Sequence, residues 1–476
     1  MAADDVTTRA LKLYEKHHYE EAIQLLRPEL AGMDSSRQGA ANLALGMIYL
    51  NNAKLYREFY QTAIIIELDY LVQLRKQTTG AASRVVDFYL GQALVEAGRP
   101  ADAIVYLQRF LNQAGVKQPV KSFAEIELGV AYSRQKKPEK AAQIWSRTDL
   151  SKPEIKAALA GAYAAAGLQG HKPVAMADAA LSDAKAQRYT PSNRMLGNLL
   201  RAYSQSGATE KALELLSAND FKDAAYVEEL GASKSISFYD LGLLDDMAKT
   251  HLGAAVMYLE QASHNDKAGN TASYFLADAY LRQGKTEASL LSATGFLSQP
   301  QIPAQYRDVT RIHQASAQYK SGQRSEAVSV WQSLADKSAD DPAVLAEVML
   351  ACTYAAADCT RLEKIALAAI EKGEGKKYFP LDAALGKYYL LQKDYHKAVM
   401  YMEAGRDKAN KNKIEANDPL MLTGLAEAYY RNKNFSENLE IYFEIGKQYP
   451  VVRQIQEAMQ GIYSVEQNSA GDVKIY

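Results

Sequence analysis

The sequence predicts an all-α fold, an α-α superhelix of helical hairpins stacked along the chain. Three observations carry this reading. A pattern of Leu, a small residue and then Tyr, with a Gly and an Ala downstream, returns about every 38 residues through most of the 476-residue chain. Gly and Pro number only 28 and 13, too few for a fibrous or loop-dominated chain. Tyr numbers 31 against 11 Phe and 2 Trp, so some recurring place wants a large ring with a polar tip.

The repeat can be followed element by element. Leu90-Gly91-Gln92-Ala93-Leu94 leads to Gly98, Ala103 and Leu107, and Leu128-Gly129-Val130-Ala131-Tyr132 leads to Ala141 and Trp145. Leu199 to Tyr203 leads to Gly207, Ala212 and Leu216, and Leu276 to Tyr280 leads to Gly284 and Ala288. Leu385-Gly386-Lys387-Tyr388-Tyr389 leads to Ala398 and Met402, and Leu425 to Tyr429 leads to Tyr442 and Pro450. Leu, small residue and Tyr share one face of a first helix, the small residue lets a second helix cross closely, and the Gly just beyond suits a left-handed C-cap. Each pair of helices buries only one face, so neighbours must stack.

These residues resemble the tetratricopeptide repeat (TPR) family. The resemblance gives about 12 units, starting near 3, 39, 84, 122, 153, 193, 236, 270, 308, 344, 379 and 419. The units near 39, 153 and 236 are degenerate. Domain organisation then reads as an N-terminal array over 3–235, a C-terminal array over 236–450, a capping helix over 451–465 and a flexible tail over 466–476. Val452, Ile455, Met459 and Ile462 have the helical spacing that a cap requires.

Composition excludes several classes. Apolar residues at 48% and charged residues at 23% exclude wholesale disorder. With 55 Lys plus Arg against 56 Asp plus Glu, the net charge of -1 argues against a general nucleic-acid or anionic-membrane binder. The most apolar stretch, Ala63 to Leu74, carries Glu67 and Asp69 and falls short of the ~20 residues of a transmembrane helix. The start Met1-Ala2-Ala3-Asp4-Asp5 reads as a chain whose export signal has been removed, hence periplasmic or secreted, with a cytoplasmic chain as the alternative. Cys352 and Cys359, some 10 Å apart on one straight helix, read as a pair of buried thiols. A disulfide is open only if the helix ends between them.

No catalytic signature is present, so the chain reads as non-catalytic and free of cofactor and metal. Gly373-Glu374-Gly375-Lys376-Lys377 lacks the spacing of a phosphate loop, the 7 His are scattered, and the basic run Arg406 to Lys413 reads as a solvated helix end. The resemblance implies a concave groove lined by the first helices. Its lining positions map to Phe123, Ile126, Val130 and Arg134, to Arg194, Arg201, Ser204 and Gln205, and to Tyr274, Asp278, Leu281 and Arg282. Further on they map to Lys387, Leu390 and Leu391, and to Glu427, Tyr430 and Arg431. The Lys and Asn pair with which co-chaperone members clamp a terminal carboxylate is absent: Lys387 and Glu427, for example, stand where the Asn would be. The reading is a protein-interaction scaffold that holds an extended or helical partner segment, in assembly of a cell-envelope or secretion complex. A self-assembling structural protein, as a homo-oligomer or filament, is one alternative, and a ligand-sensing or enzymatic protein is another.

Overall fold

The computed structural model describes residues 5–113, 115–116, 118–168, 171–219, 225–229, 235–239, 242–372, 378–411 and 418–449. The Gly373 to Lys377 run, the expected capping helix over 451–465 and the tail lie outside the described residues. Contacts divide the chain into two units. Among the described residues, unit 1 runs over 5–55 and 254–448, and unit 2 over 56–253 with Tyr449. This division differs from the boundary at 235/236 expected from the repeat starts, because the chain leaves unit 1 and returns to it.

Unit 1 begins with α1 (Val6–Glu15), α2 (Tyr19–Leu26) and a short 3-10 turn. Helix α3 (Ser35–Gln77) carries the chain from unit 1 to unit 2. Unit 2 continues with α4 (Gly80–Glu96), α5 (Pro100–Leu111), α6 (Val120–Arg134), α7 (Pro138–Trp145) and α8 (Pro153–Ala165). There follow α9 (His171–Ala186), α10 (Asn193–Gln205) and α11 (Thr209–Ala218). A short antiparallel hairpin, β1 (Ala225–Glu229) and β2 (Ser235–Tyr239), precedes α12 (Gly242–Ser263), which returns the chain to unit 1. The remaining helices of unit 1 are α13 (Gly269–Arg282), α14 (Thr286–Leu297), α15 (Ala304–Lys320), α16 (Arg324–Lys337) and α17 (Pro342–Tyr354). After them come α18 (Thr360–Ile370), α19 (Phe379–Leu391), α20 (Tyr395–Lys411), α21 (Pro419–Arg431) and α22 (Phe435–Gln448).

The fold is an all-α array of helical hairpins, and its beat is set by one backbone feature. A residue with positive φ closes the first helix of each hairpin, at His17, Gly98, Lys136, Gly167, Gly207, Gly284, Gly322, Ala356, Lys393 and Lys433. The next N–H returns to a carbonyl five residues back, as in Arg99 N to Leu94 O (2.9 Å), Lys285 N to Tyr280 O (2.9 Å) and Asn434 N to Tyr429 O (2.8 Å). This is the Schellman closure, which satisfies carbonyls orphaned at a helix end. Gly fits it without strain, and Lys136, Lys393 and Lys433 hold the same place in other hairpins. The degenerate 153 unit is a regular hairpin, α8 and α9, turning at Gly167. The units expected near 39 and 236 are not hairpins. Asn51-Asn52-Ala53-Lys54 has neither Gly nor Pro, and α3 runs through it; the start near 236 falls within β2.

The small residues sit where the packing requires them. A Cβ on Gly91 would come within 2.6 Å of Leu107, and one on Gly129 or Gly386 would run into Trp145 or Met402. Where the small residue is Ala, a polar side chain of the second helix reaches its carbonyl: Ser289 Oγ to Ala277 O (2.7 Å) and Asn438 Nδ2 to Ala426 O (2.6 Å). The repeated tyrosines pack between one hairpin and the next. Tyr203, Tyr389 and Tyr429 donate to Asp178 (2.9 Å), Glu363 (2.6 Å) and Glu403 (2.6 Å) on the preceding hairpin's second helix. Among the described residues no helix is long and apolar enough to cross a membrane.

Cys352 and Cys359 form a disulfide, with Cα atoms 6.0 Å apart. The favoured reading as two free thiols is therefore corrected. Helix α17 stops at Tyr354, Ala356 turns the backbone at φ 50, and the chain folds back to bring Cys359 onto Cys352.

Candidate functional site: two charged inner networks

The first helix of each hairpin packs on the first helices of its neighbours, as α4 on α6, α6 on α8, α13 on α15 and α15 on α17. The predicted lining residues lie on first helices, eight of them in unit 2 and ten in unit 1.

In unit 2, Arg194 opens α10 with its guanidinium 4.7 Å from the Phe123 ring centre and 5.8 Å from that of Phe88. Its Nη2 donates to Tyr89 Oη at 3.3 Å. Two turns along the same helix, Arg201 is buried between two carboxylates, with Nη1 3.0 Å from Glu96 and Nε 3.0 Å from Asp246. Asp246, on α12 and 1% exposed, also accepts from Gln205 Nε2 at 2.8 Å and Ser204 Oγ at 3.4 Å. Burial nevertheless pushes its carboxyl up to about 6 against the pull of Arg201 and Lys249. Glu127 on α6 is likewise raised by burial, opposed by Arg201, and accepts a long hydrogen bond from Gln92 Nε2 at 3.4 Å. Glu96, Glu127, Arg194 and Arg201 line a cavity of about 60 Å³ together with Ile64, Glu67, Ala93 and Ile126. Arg134 has a different task. Its Nη1 donates to Val95 O at the end of α4, capping a neighbouring helix.

Unit 1 inverts this pattern. Asp278 is buried between two cations, accepting from Lys54 Nζ at 2.8 Å and Arg282 Nε at 2.8 Å. Burial pushes the Asp278 carboxyl up, but Arg282 and Lys54 outweigh it and hold it well below the ordinary carboxylate range. Beside it, burial lowers His313, although Asp278 and Glu347 pull the other way. Burial and the charge of Arg282 lower Lys320, whose Nζ donates to Leu281 O at 3.0 Å. Tyr274 packs among Phe275, Phe296 and Tyr306, with ring centres 4.9, 5.5 and 5.3 Å away. Farther along, Lys387 and Glu427 are a buried pair at 3.4 Å, and Arg431 lies 3.9 Å from Glu427. Tyr430 is buried, its ring 5.7 Å from Phe435.

Sequence reasoning missed Glu96, Glu127, Asp246, Lys54 and Lys320, which complete the two networks. It also did not single out one register row in unit 1. From α13 onward, two residues before the left-handed turn of each hairpin stand Arg282, Lys320, Tyr354, Leu391 and Arg431. Tyr354 is 53% exposed and Leu391 49%. Counting back from each turn residue would have found this row.

Comparison with known proteins yields structures alone. No protein-family model matches the chain, and no curated protein matches it. Among solved structures it is similar to yeast Tom70, at 12% identity and TM-score 0.33, covering 98% of this chain and 95% of that one. It is similar to the APC/C hetero-tetramer Cut9–Hcn1, at 14% identity and TM-score 0.29, covering 95% and 89%. It is also similar to the maize pentatricopeptide repeat protein PPR10, at 16% identity and TM-score 0.27, covering 98% and 69%. Scores of this size carry no argument about partner or activity. What the hairpin register shows is the fold alone, an all-α array of helical hairpins.

Proposed function

We propose that the chain is a non-catalytic protein-interaction scaffold whose inner register row in unit 1 holds an extended or helical partner segment. One observation carries the reading. Exposed Tyr354 and Leu391 stand in a single row flanked by Arg282 and Lys320 on one side and Arg431 on the other. Apolar side chains would supply affinity and the cations register, so the partner segment is one that sets an apolar residue among carboxylates. Arg194, Arg201, Arg134, Tyr274, Asp278, Lys387, Glu427 and Tyr430 then act mainly by shaping and charging the inner faces. Selection of displayed peptides on the full chain tests the reading. Recovered peptides are expected to be acidic around an apolar residue and to lose binding to an Arg282→Glu/Arg431→Glu variant. Peptides without that bias, bound equally by the variant, would contradict it.

The same proposal places the scaffold in an oxidising compartment, periplasmic or secreted, serving assembly of a cell-envelope or secretion complex. The Cys352–Cys359 disulfide supports the compartment, because such bonds persist there and are rare where thiols are kept reduced. Alkylation of thiols in freshly lysed source cells should leave both cysteines unmodified until a reductant is added. Full labelling without reductant would refute the placement.

A further inference from the structure

One hairpin of the unit 1 row turns differently from the other four. After the left-handed residue at Gly284, Gly322, Lys393 or Lys433, the second helix begins two residues on, at Thr286, Arg324, Tyr395 or Phe435. In the α17–α18 hairpin the left-handed residue is Ala356, and α18 begins at Thr360, four residues on. The closure at the end of α17 is nevertheless the common one. Ala356 N donates to Thr353 O at 3.0 Å and Ala357 N to Cys352 O at 3.2 Å. The added residues are Asp358 and Cys359. Asp358 Oδ1 accepts from Thr360 N at 3.0 Å and Thr360 Oγ1 at 2.7 Å, which turns the chain into α18, and Cys359 is bonded to Cys352.

Such a turn holds its helix end less firmly. Two extra residues add freedom that the short turns lack, and Ala356 bears a Cβ in the left-handed region, where Gly284 and Gly322 bear none. Tyr354 is the last residue of α17, so its place in the row depends on that helix end. The neighbouring Thr353 hydroxyl is buried and, among the described residues, has no hydrogen-bond partner, so it does not pin the end. The disulfide does. Cys352 lies two residues before Tyr354 on α17, Cys359 is the N-cap of α18, and both are buried. The bond therefore ties the last turn of α17 to the start of α18 across the added residues.

We infer that the Cys352–Cys359 disulfide is the positioning element of the partner row, holding the end of α17 so that Tyr354 stands in register between Lys320 and Leu391. The inference rests on that row being the partner site. Opening the bond takes two electrons and two protons, which a dithiol supplies as it closes its own disulfide, so binding to the row is redox-dependent. Amide hydrogen exchange and peptide binding on the full chain test this, the probe being a synthetic peptide with one Leu between two pairs of Glu. In the Cys352→Ser/Cys359→Ser variant, exchange over residues 351–358 should quicken about tenfold or more while α13 and α21 keep their parent rates. The peptide should bind the variant about fivefold more weakly than the oxidised parent. Tyr354→Ala should cost as much in the parent and little more in the variant, because the clamp acts through Tyr354. Parent chain reduced with dithiothreitol should bind as the variant does, which gives the same comparison without a substitution. Equal peptide affinity with and without the bond, unchanged exchange over 351–358, or fully additive losses would each overturn the inference and leave the row in place. No binding to the oxidised parent would overturn the row and the inference with it.

Discussion

The two inner networks are built from the same residue types with the signs exchanged. In unit 2 a single buried cation, Arg201, stands between Glu96 and Asp246. In unit 1 a buried anion, Asp278, stands between Lys54 and Arg282. The surplus charge shows in the neighbours. Burial prevails over the available cations at Asp246 and Glu127, which are raised, while Lys320 and His313 are lowered beside Asp278. The same hairpin scaffold therefore sets one buried cation among carboxylates at Arg201 and one buried anion among cations at Asp278. A helix array fixes where side chains stand, and the few that differ in sign decide what each face attracts.

If this comparison is right, removing the minority charge should cost most. Asp278→Asn in unit 1 or Arg201→Met in unit 2 leaves two like charges facing each other without their counterion. Each should lower unfolding free energy by about 3–5 kcal/mol, read by chemical denaturation at pH 7. A loss below about 1 kcal/mol at both sites would break the comparison. Gly129→Leu and Gly386→Leu are uncharged controls that should cost about 1–3 kcal/mol by overpacking against Trp145 and Met402. Parent-like melts for these would overturn the repeat register itself.

Removing the majority charge should cost least. Asp246→Asn or Lys320→Met should stay within about 1 kcal/mol of the parent at pH 7, because burial already disfavours each charged form. The pH dependence sharpens this. Asp246 is raised, so its contribution is full below the ordinary carboxylate pKa and fades as pH climbs to about 6. Asp246→Asn should therefore gain on the parent between about pH 4 and pH 6. Asp278 is depressed, so its contribution is present at neutral pH and fades as the solution is acidified below about pH 4. The deficit of Asp278→Asn should shrink there. Curves for the two variants that run parallel would show that the sites do not differ in sign. Smallest of all, Tyr354→Ala should change stability by less than about 0.5 kcal/mol, since its side chain is exposed. Its effect should appear in partner binding alone.

Much of the architecture was legible because the hairpin is a local object. Gly98, Gly207, Gly284 and Gly322 mark turns, and Gly129 and Gly386 mark close crossings, by their own chemistry. The long α3 and the β1–β2 hairpin were not legible, because a missing turn signal is weaker than a present one. The disulfide was half legible: the spacing of Cys352 and Cys359 left it open, and only the turn at Ala356 decides it. The inner networks were the least legible. Arg201 and Asp278 could be placed on the inner face by register, but Asp246 and Lys54 come from helices that carry no repeat motif. Pairing across such distances in sequence is set by tertiary packing, which no local pattern encodes.

Carbon-13 NMR of the full chain, labelled at the aspartate carboxyl carbons and titrated from acid to neutral pH, tests the sign exchange most directly. Asp246 should titrate near pH 6, and Asp278 should keep its charge below the range where ordinary aspartates gain a proton. Two carboxyls that titrate together near the ordinary aspartate value of about 3.9 would contradict the account.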